Sequence, residues 1–497
     1  MSTLYDQFVA RVGEIADLSH ASAVLSWDQE VYAPAKSAPG RSRQLATLSG
    51  MAHDLFVRDD LGEWLEALSK EAGLAPIQQH NVAKTWRDYT KARKLDRAFV
   101  ESLSQARSAC FQDWQKARQA NDFGVYAKSL EIMFALKREE AERLGYEAHP
   151  YDALMDAYEP GAKTAQVQAV FQTARKQLVD LIQAIAAAPQ VPDAFLEGSF
   201  PHDKQWAFGL DVLKAMGYDF DGGRQDVSTH PFTISFGPGD IRVTTRVDES
   251  NFREMLWSCI HEGGHALYEQ GLPADQYGLP AGEAASLGIH ESQSRLWENN
   301  VGRALPFWQH WYPRLQSEFP AAFKDVPLRD FYRAINKVEP SLIRTEADEL
   351  TYHAHIMVRF EIEVGLIDGS MAVKDLREIW NDKYKTYLGV EVPDDRQGVL
   401  QDIHWSHGSI GYFATYSLGS FYAVQFMDKA KEELPGLEAD IARGDNHRLL
   451  DWLRTNVHAV GRQFTSEEIC QQATGATLDV NRFMAYAKTK YGELYNL

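Results

Sequence analysis

Along the first 190 or so residues, apolar side chains recur every three or four positions, the spacing of helices that each bury one face. Leu4–Leu18, Ser42–Phe56, Ile77–Val100 and Thr164–Ala188 all carry this pattern, proline is sparse, and no β-type alternation of useful length interrupts them. Pro189–Asp203 (PQVPDAFLEGSFPHD) gathers turn formers and is the expected connection between lobes. After Gly222 the pattern changes. Phe232–Phe236 (FTISF) and Asp240–Val247 (DIRVTTRV) are β-rich, and Gly237-Pro238-Gly239 between them signals a hairpin. In the second strand Asp240, Arg242 and Thr244 share one face, and Ile241, Val243 and Thr245 the other. From Glu283 onward the spacing is again helical. The expectation is one mainly α domain over 1–497, with a helical N-terminal lobe of about 1–200 and a second lobe of about 201–497 that contains the hairpin.

One helix stands out. Between Asn251 and Gln270, Phe252, Met255, Leu256, Cys259, Ile260, Ala266 and Leu267 make an apolar stripe, with Asn251 and Glu254 as a capping box and Gly271 as the stop. On it lies His261-Glu262-Gly263-Gly264-His265. Residues four apart sit on one helix face, so both imidazoles can point at one metal ion, and Glu262 can reach a water without ligating the metal. Gly in a helix interior costs about 1 kcal/mol relative to Ala, so the two glycines imply close approach of another element or of substrate. The hairpin leads directly into this helix, and its second strand offers backbone groups along which a peptide could lie extended.

Composition narrows the possibilities. The net charge of −19 disfavours nucleic acid and anionic membranes, which are bound through clustered Lys and Arg. No apolar run approaches the ~20 residues of a membrane span. The N-terminal stretch has no basic start followed by an apolar core, so it does not read as a signal peptide. Cys110, Cys259 and Cys470 are three and far apart, which is no disulfide framework and suits a reducing compartment. A cytoplasmic protein is expected.

Two histidines leave a catalytic metal site one protein ligand short. Glu283, Glu291 and Glu298 are the downstream candidates. Glu291 is favoured because it shares a polar stripe with Ser294, Arg295 and Glu298, opposite Ile289, Leu296, Trp297 and Val301. Glu298 fits a supporting carboxylate, and His290 points about 100° away from Glu291 and is not counted as a ligand. Three further stretches carry polar residues of interest. Leu25-Ser26-Trp27-Asp28-Gln29-Glu30 could close over a groove or hold a core Trp on a capped turn. Ile343–Asp348 opens what reads as a helix, with Arg344, Asp348, Thr351 and His355 on one face. Gly398–Trp405, running on to Tyr412 and Tyr416, offers a His and a Tyr as donors to an oxyanion.

Taken together, His230-Pro231-Phe232, Asp240-Ile-Arg242-Val-Thr244, the His261–His265 motif, His290-Glu291-Ser292-Gln293, Ile343-Arg344-Thr-Glu-Ala347-Asp348 and Gly398-Val-Leu-Gln401-Asp402-Ile-His404-Trp405 resemble the carboxypeptidase Taq family of metallocarboxypeptidases, in order and over essentially the whole chain. The resemblance implies a mainly helical fold similar to neurolysin and angiotensin-converting enzyme, with a deep substrate groove, a small β-hairpin beside the zinc helix, and a homodimer. It implies release of single C-terminal residues from peptides with broad tolerance. Zn²⁺ is the expected ion, with Co²⁺ or Mn²⁺ as substitutes. His261, His265 and Glu291 would hold it, and Glu262 would be the general base. His404 and Tyr416 would serve the oxyanion and Arg344 the terminal carboxylate, with Asp240, Arg242 and Gln401 as further substrate contacts. An endo-acting oligopeptidase and a non-catalytic peptide-binding protein are the alternatives.

Overall fold

A computed structural model describes residues 3–497. Helices dominate, and the only sheet among the described residues has three short strands. No described helix is long and apolar enough to cross a membrane.

The chain divides into two compact units, each gathered from three stretches. The first comprises the N-terminal stretch through Arg93, then Pro192–Ile335 and Tyr422–Thr477; the second comprises Lys94–Val191, Asn336–Phe421 and Leu478–Leu497. One crossing falls at Val191–Pro192, inside the Pro, Gly and Asp-rich connection, and another at Arg93–Lys94. At that second crossing the Ile77–Val100 stretch breaks into Pro76–Ala92 and Arg97–Ala120. The Asp96 side chain caps the second helix by accepting from the Phe99 N–H at 2.8 Å.

In the first unit, Phe8 and Val12 from the helix Leu4–Val31 pack with Leu61, Leu65 and Leu68, whose spacing puts them on one face of Asp59–Ser69. Leu4–Val31 continues straight through Leu25–Glu30, so Trp27 is a buried helical residue and not part of a turn. The sheet has the order β1 (Gln225–Val227), β3 (Ile241–Thr245), β2 (Thr233–Ser235), with β3 parallel to β1 and antiparallel to β2. The hairpin is therefore present, but β3 lies in the centre with both edges paired, and a free edge belongs to β2. Ile234 pairs with Arg242, Thr244 N bonds Phe232 O, and Phe236 N bonds Asp240 O. By antiparallel alternation Thr233 and Ser235 then turn their backbone groups to the outer edge.

The motif helix runs Phe252–Gly271, and every residue of the predicted apolar stripe is buried. Phe252 packs among Phe200 and Phe323, with ring centroids 5.6 Å away in both cases. Asn251 caps the start by accepting from Arg253 N, but no capping box forms, because Glu254 pairs with Arg246 at 2.6 Å. The glycines mark close approaches. A Cβ on Gly264 would stand 2.7 Å from Gln293 O and Ser294 Cα, backbone atoms that cannot step aside. One on Gly263 would meet Leu213 Cδ2 at 2.5 Å, and one on Gly271 would meet the His458 ring at 2.3 Å. Gly264 thus lets the backbone of Leu287–Arg295 lie directly against the motif helix.

The second unit is built on Thr351–Asp368, a helix in which all but Glu361 and Asp368 are buried. Three of its ionisable residues, His355, Arg359 and Glu363, follow one another at four-residue steps and form one buried polar stripe.

Candidate active site

The first unit brings His261, His265 and Glu291 together: one ligand atom from each lies within 4.8 Å of the other two. Glu291 Oε2 stands 3.7 Å from His261 Nε2 and 3.4 Å from His265 Nε2. Its other oxygen accepts from Arg295 Nε at 2.7 Å, and Ser294 donates to Oε2 at 2.9 Å. Burial alone would raise the Glu291 carboxyl, but the Arg295 charge and the facing imidazoles of His261 and His265 hold it well below the ordinary range. The outer ring nitrogens are also engaged. His261 Nδ1 meets Glu298 Oε2 at 2.9 Å, and Glu298 is held in place by Arg295 and Arg303, each at 3.2 Å. His265 Nδ1 lies 2.5 Å from His290 Nδ1, and His290 Nε2 lies 2.8 Å from Glu269 Oε1.

Glu298 reaches His261 from a π-helical turn, Leu296–Gly302, that follows Leu287–Arg295. Such turns are frequent at functional sites. The polar stripe Glu291, Ser294, Arg295, Glu298 is thus turned inward and paired within itself, and is not a solvated face. Glu283, the remaining sequence candidate, pairs with Arg462 at 2.7 Å and takes no part in the cluster.

Two imidazole lone pairs and an ionised carboxylate converge, while every other polar atom of the three side chains points to a fixed partner. That donor set fits a divalent ion with room for water. Burial pushes the His265 imidazole down to about 3, so the ring is neutral at neutral pH. Glu262 stands beside the cluster and accepts from the Thr233 hydroxyl at 2.7 Å, so it is tied to the edge strand β2. Burial raises its carboxyl above the ordinary range, against the opposing charge of His261. A carboxylate so placed can take up a proton and give it back.

Asp240 and Arg242 form a bidentate pair at 2.8 and 2.7 Å, and the guanidinium lies 4.4 Å from the Trp27 ring and 4.8 Å from that of Phe236. The pair braces β3 against the end of the Leu4–Val31 helix.

In the second unit Arg344 occupies a single 3₁₀ turn, Arg344–Glu346, and not the helix expected there. Asp348 instead caps Thr351–Asp368, accepting from Leu350 N at 2.9 Å and Thr351 N at 3.0 Å. The carboxylate partner of Arg344 is Asp402, 2.9 Å from Nε, and Asp402 is shared with Arg359 at 2.6 Å. The two guanidinium charges, set against burial, hold the Asp402 carboxyl far below its usual range. Gln401 accepts from Arg344 N at 2.9 Å and Arg359 Nη2 at 2.8 Å, and its own amide donates to Leu342 O at 3.0 Å, so it anchors Arg344. His404 Nε2 is 3.4 Å from the Tyr416 hydroxyl, and burial pushes this imidazole down to about 4, leaving it neutral. The segment that carries them is pinned by the polar stripe: Arg359 holds Asp402, and Glu363 accepts from Trp405 Nε1 at 2.8 Å and Gly411 N at 2.9 Å.

Sequence patterns had not pointed to Thr233, Glu269, Arg359 or Glu363, nor to any part for His290. The four-residue steps of His355, Arg359 and Glu363 in a mostly apolar helix are the available signal for Arg359 and Glu363.

A helix-borne His-Glu-X-X-His pair faced by a carboxylate from the next helix is an arrangement suited to a hydrolytic metal site. Residues 7–491 match the profile of the carboxypeptidase Taq (M32) metallopeptidases. Thermostable carboxypeptidase 1 of Thermus thermophilus is 41% identical, covering 97% of each chain, and carboxypeptidase 1 of Bacillus subtilis is 37% identical, covering 100% and 99%. The crystal structure of an M32 carboxypeptidase from Deinococcus radiodurans superposes with a TM-score of 0.98 at 40% identity, over 100% of both chains. This chain belongs to the carboxypeptidase Taq (M32) family of metallopeptidases, and that membership implies a divalent metal.

Proposed function

We propose that this protein is a zinc-dependent carboxypeptidase that releases single residues from the C-terminus of peptides with broad tolerance. The observation that carries the reading is the convergence of His261, His265 and Glu291 with Glu262 beside them. In this reading His261, His265 and Glu291 hold the ion. A divalent metal bound there supplies Lewis acidity, which acidifies water and polarises a carbonyl. Glu262 takes the proton of the attacking water and later gives it to the leaving amine. Thr233 steadies Glu262 meanwhile, and the outer edge of β2 offers its backbone to an extended peptide. His404 and Tyr416 act as donors to the oxyanion. Arg344 takes the terminal carboxylate through its planar fork, with Gln401 and Asp402 setting its orientation. Asp240 and Arg242 serve the substrate side by bracing the sheet whose edge it would follow.

The chemistry of the ligand set supports Zn²⁺, and would accept Co²⁺ or Mn²⁺. Three free, buried cysteines support work in the cytoplasm, and the family resemblance supports a homodimer.

The ligand assignment is tested by metal content. Glu291→Ala should lower occupancy and activity together, whereas Glu298→Ala, acting through His261, should weaken binding by about 10–100-fold and leave saturable activity. Equal metal content in wild type and Glu291→Ala, with loss only in Glu298→Ala, would move the ligand to Glu298.

A further inference from the structure

The outer nitrogens of the two histidines are held in unlike ways. His261 Nδ1 meets a carboxylate directly, at 2.9 Å from Glu298. His265 Nδ1 meets another imidazole, His290, at 2.5 Å, and only the far side of that ring meets a carboxylate, Glu269, at 2.8 Å. A His–His contact of this kind has two proton arrangements. In one, His265 carries its proton on Nδ1 and donates to His290, leaving Nε2 as a lone pair. In the other, His290 donates from Nδ1, and His265 must carry its proton on Nε2, where it cannot ligate. An ionised carboxylate accepts and does not donate, so Glu269 draws the His290 ring proton to Nε2. That leaves His290 Nδ1 as an acceptor and selects the first arrangement.

We infer that Glu269 and His290 are positioning residues that fix the metal-competent tautomer of His265, a role that rests on His265 being a ligand. The geometry is prepared on both elements. Glu269 follows His265 by one helical turn, and His290 immediately precedes Glu291, so one short helix delivers both the third ligand and the relay. The Tyr268 ring lies edge-on to His290 with centroids 5.2 Å apart and limits its rotation.

The test is Zn²⁺ affinity of the full-length protein, measured by competition with a chromophoric chelator, in a cycle of Glu269→Ala, His290→Ala and the double variant. Glu269→Ala should weaken binding by about 10–100-fold, the usual effect of removing a carboxylate behind a ligating histidine. In the His290→Ala background the same change should have little further effect, since its route to His265 is already cut. Glu269→Gln, whose amide can either accept or donate, should fall between wild type and Glu269→Ala, and it serves if the alanine variant fails to fold. Wild-type affinity in Glu269→Ala and Glu269→Gln, or an undiminished effect of Glu269→Ala in the His290→Ala background, would overturn the inference. His265→Ala is the control on the site itself: if it binds Zn²⁺ as wild type does, the ligand assignment has failed and not the relay alone.

Discussion

Replacing Glu262 with Gln should leave the metal in place and remove most of the peptidase activity. The amide is nearly isosteric, and its oxygen can still accept from the Thr233 hydroxyl that holds the carboxylate at 2.7 Å. What it lacks is a site for the proton of water. General-base losses run at about 10²–10⁴-fold, and here the same group also returns a proton to the leaving amine, so the upper part of that range is expected. Metal content by elemental analysis and kcat on a free-acid peptide check both halves. A metal-free Glu262→Gln protein would instead make Glu262 part of the binding shell.

The second large effect is expected at Arg344, and it concerns where the chain is cut. A metal-and-water site hydrolyses whatever carbonyl is presented to it, so exopeptidase action requires a group that recognises the chain end. A guanidinium suits this because its planar fork can bond both oxygens of a terminal carboxylate. Arg344 is buried and aimed by its neighbours: Asp402 takes Nε and Nη2, each at 2.9 Å, and Tyr352 takes Nη1 at 3.2 Å. Arg344→Met should lower kcat/KM for free-acid peptides by roughly 2–4 kcal/mol of transition-state stabilisation, and Arg344→Lys should fall between. The fold should tolerate the change, because Asp402 keeps Arg359 at 2.6 Å and is not left as an unpaired buried charge. Matched peptides with free and amidated ends give the deciding ratio: the wild-type preference for the free acid should largely vanish in Arg344→Met. A variant that keeps the whole preference would reduce Arg344 to a structural partner of Asp402.

What could be read from the sequence was what local spacing encodes. The apolar stripe of Phe252–Gly271 placed two histidines on one face, and the polar stripe after Ser286 singled out Glu291, because both depend only on helical periodicity. The two glycines of the motif implied a close neighbour, and Gly264 does meet the backbone at Gln293 and Ser294. Spacing fails where partners are distant in the chain. Arg344 pairs with Asp402, 58 residues on, and no periodicity carries that, so Asp348 looked like its partner. Helical spacing turns His290 away from Glu291 by about 100°. That divergence keeps it from the ligand cluster and turns it onto His265 Nδ1. Each compact unit is gathered from three stretches of the chain, and long-range packing of that kind leaves no local mark.

The central claim, a metal-dependent peptidase acting from the C-terminus, is tested most directly by mass spectrometry of a peptide of about ten residues digested with and without a chelator. The account predicts a ladder of one-residue losses from the C-terminus, abolished by the chelator, restored by Zn²⁺, and strongly suppressed when the terminus is an amide. Internal fragments produced equally from the free acid and the amide would contradict it in favour of an endo-acting oligopeptidase, and an undigested peptide with Zn²⁺ bound would contradict it in favour of a protein that only binds.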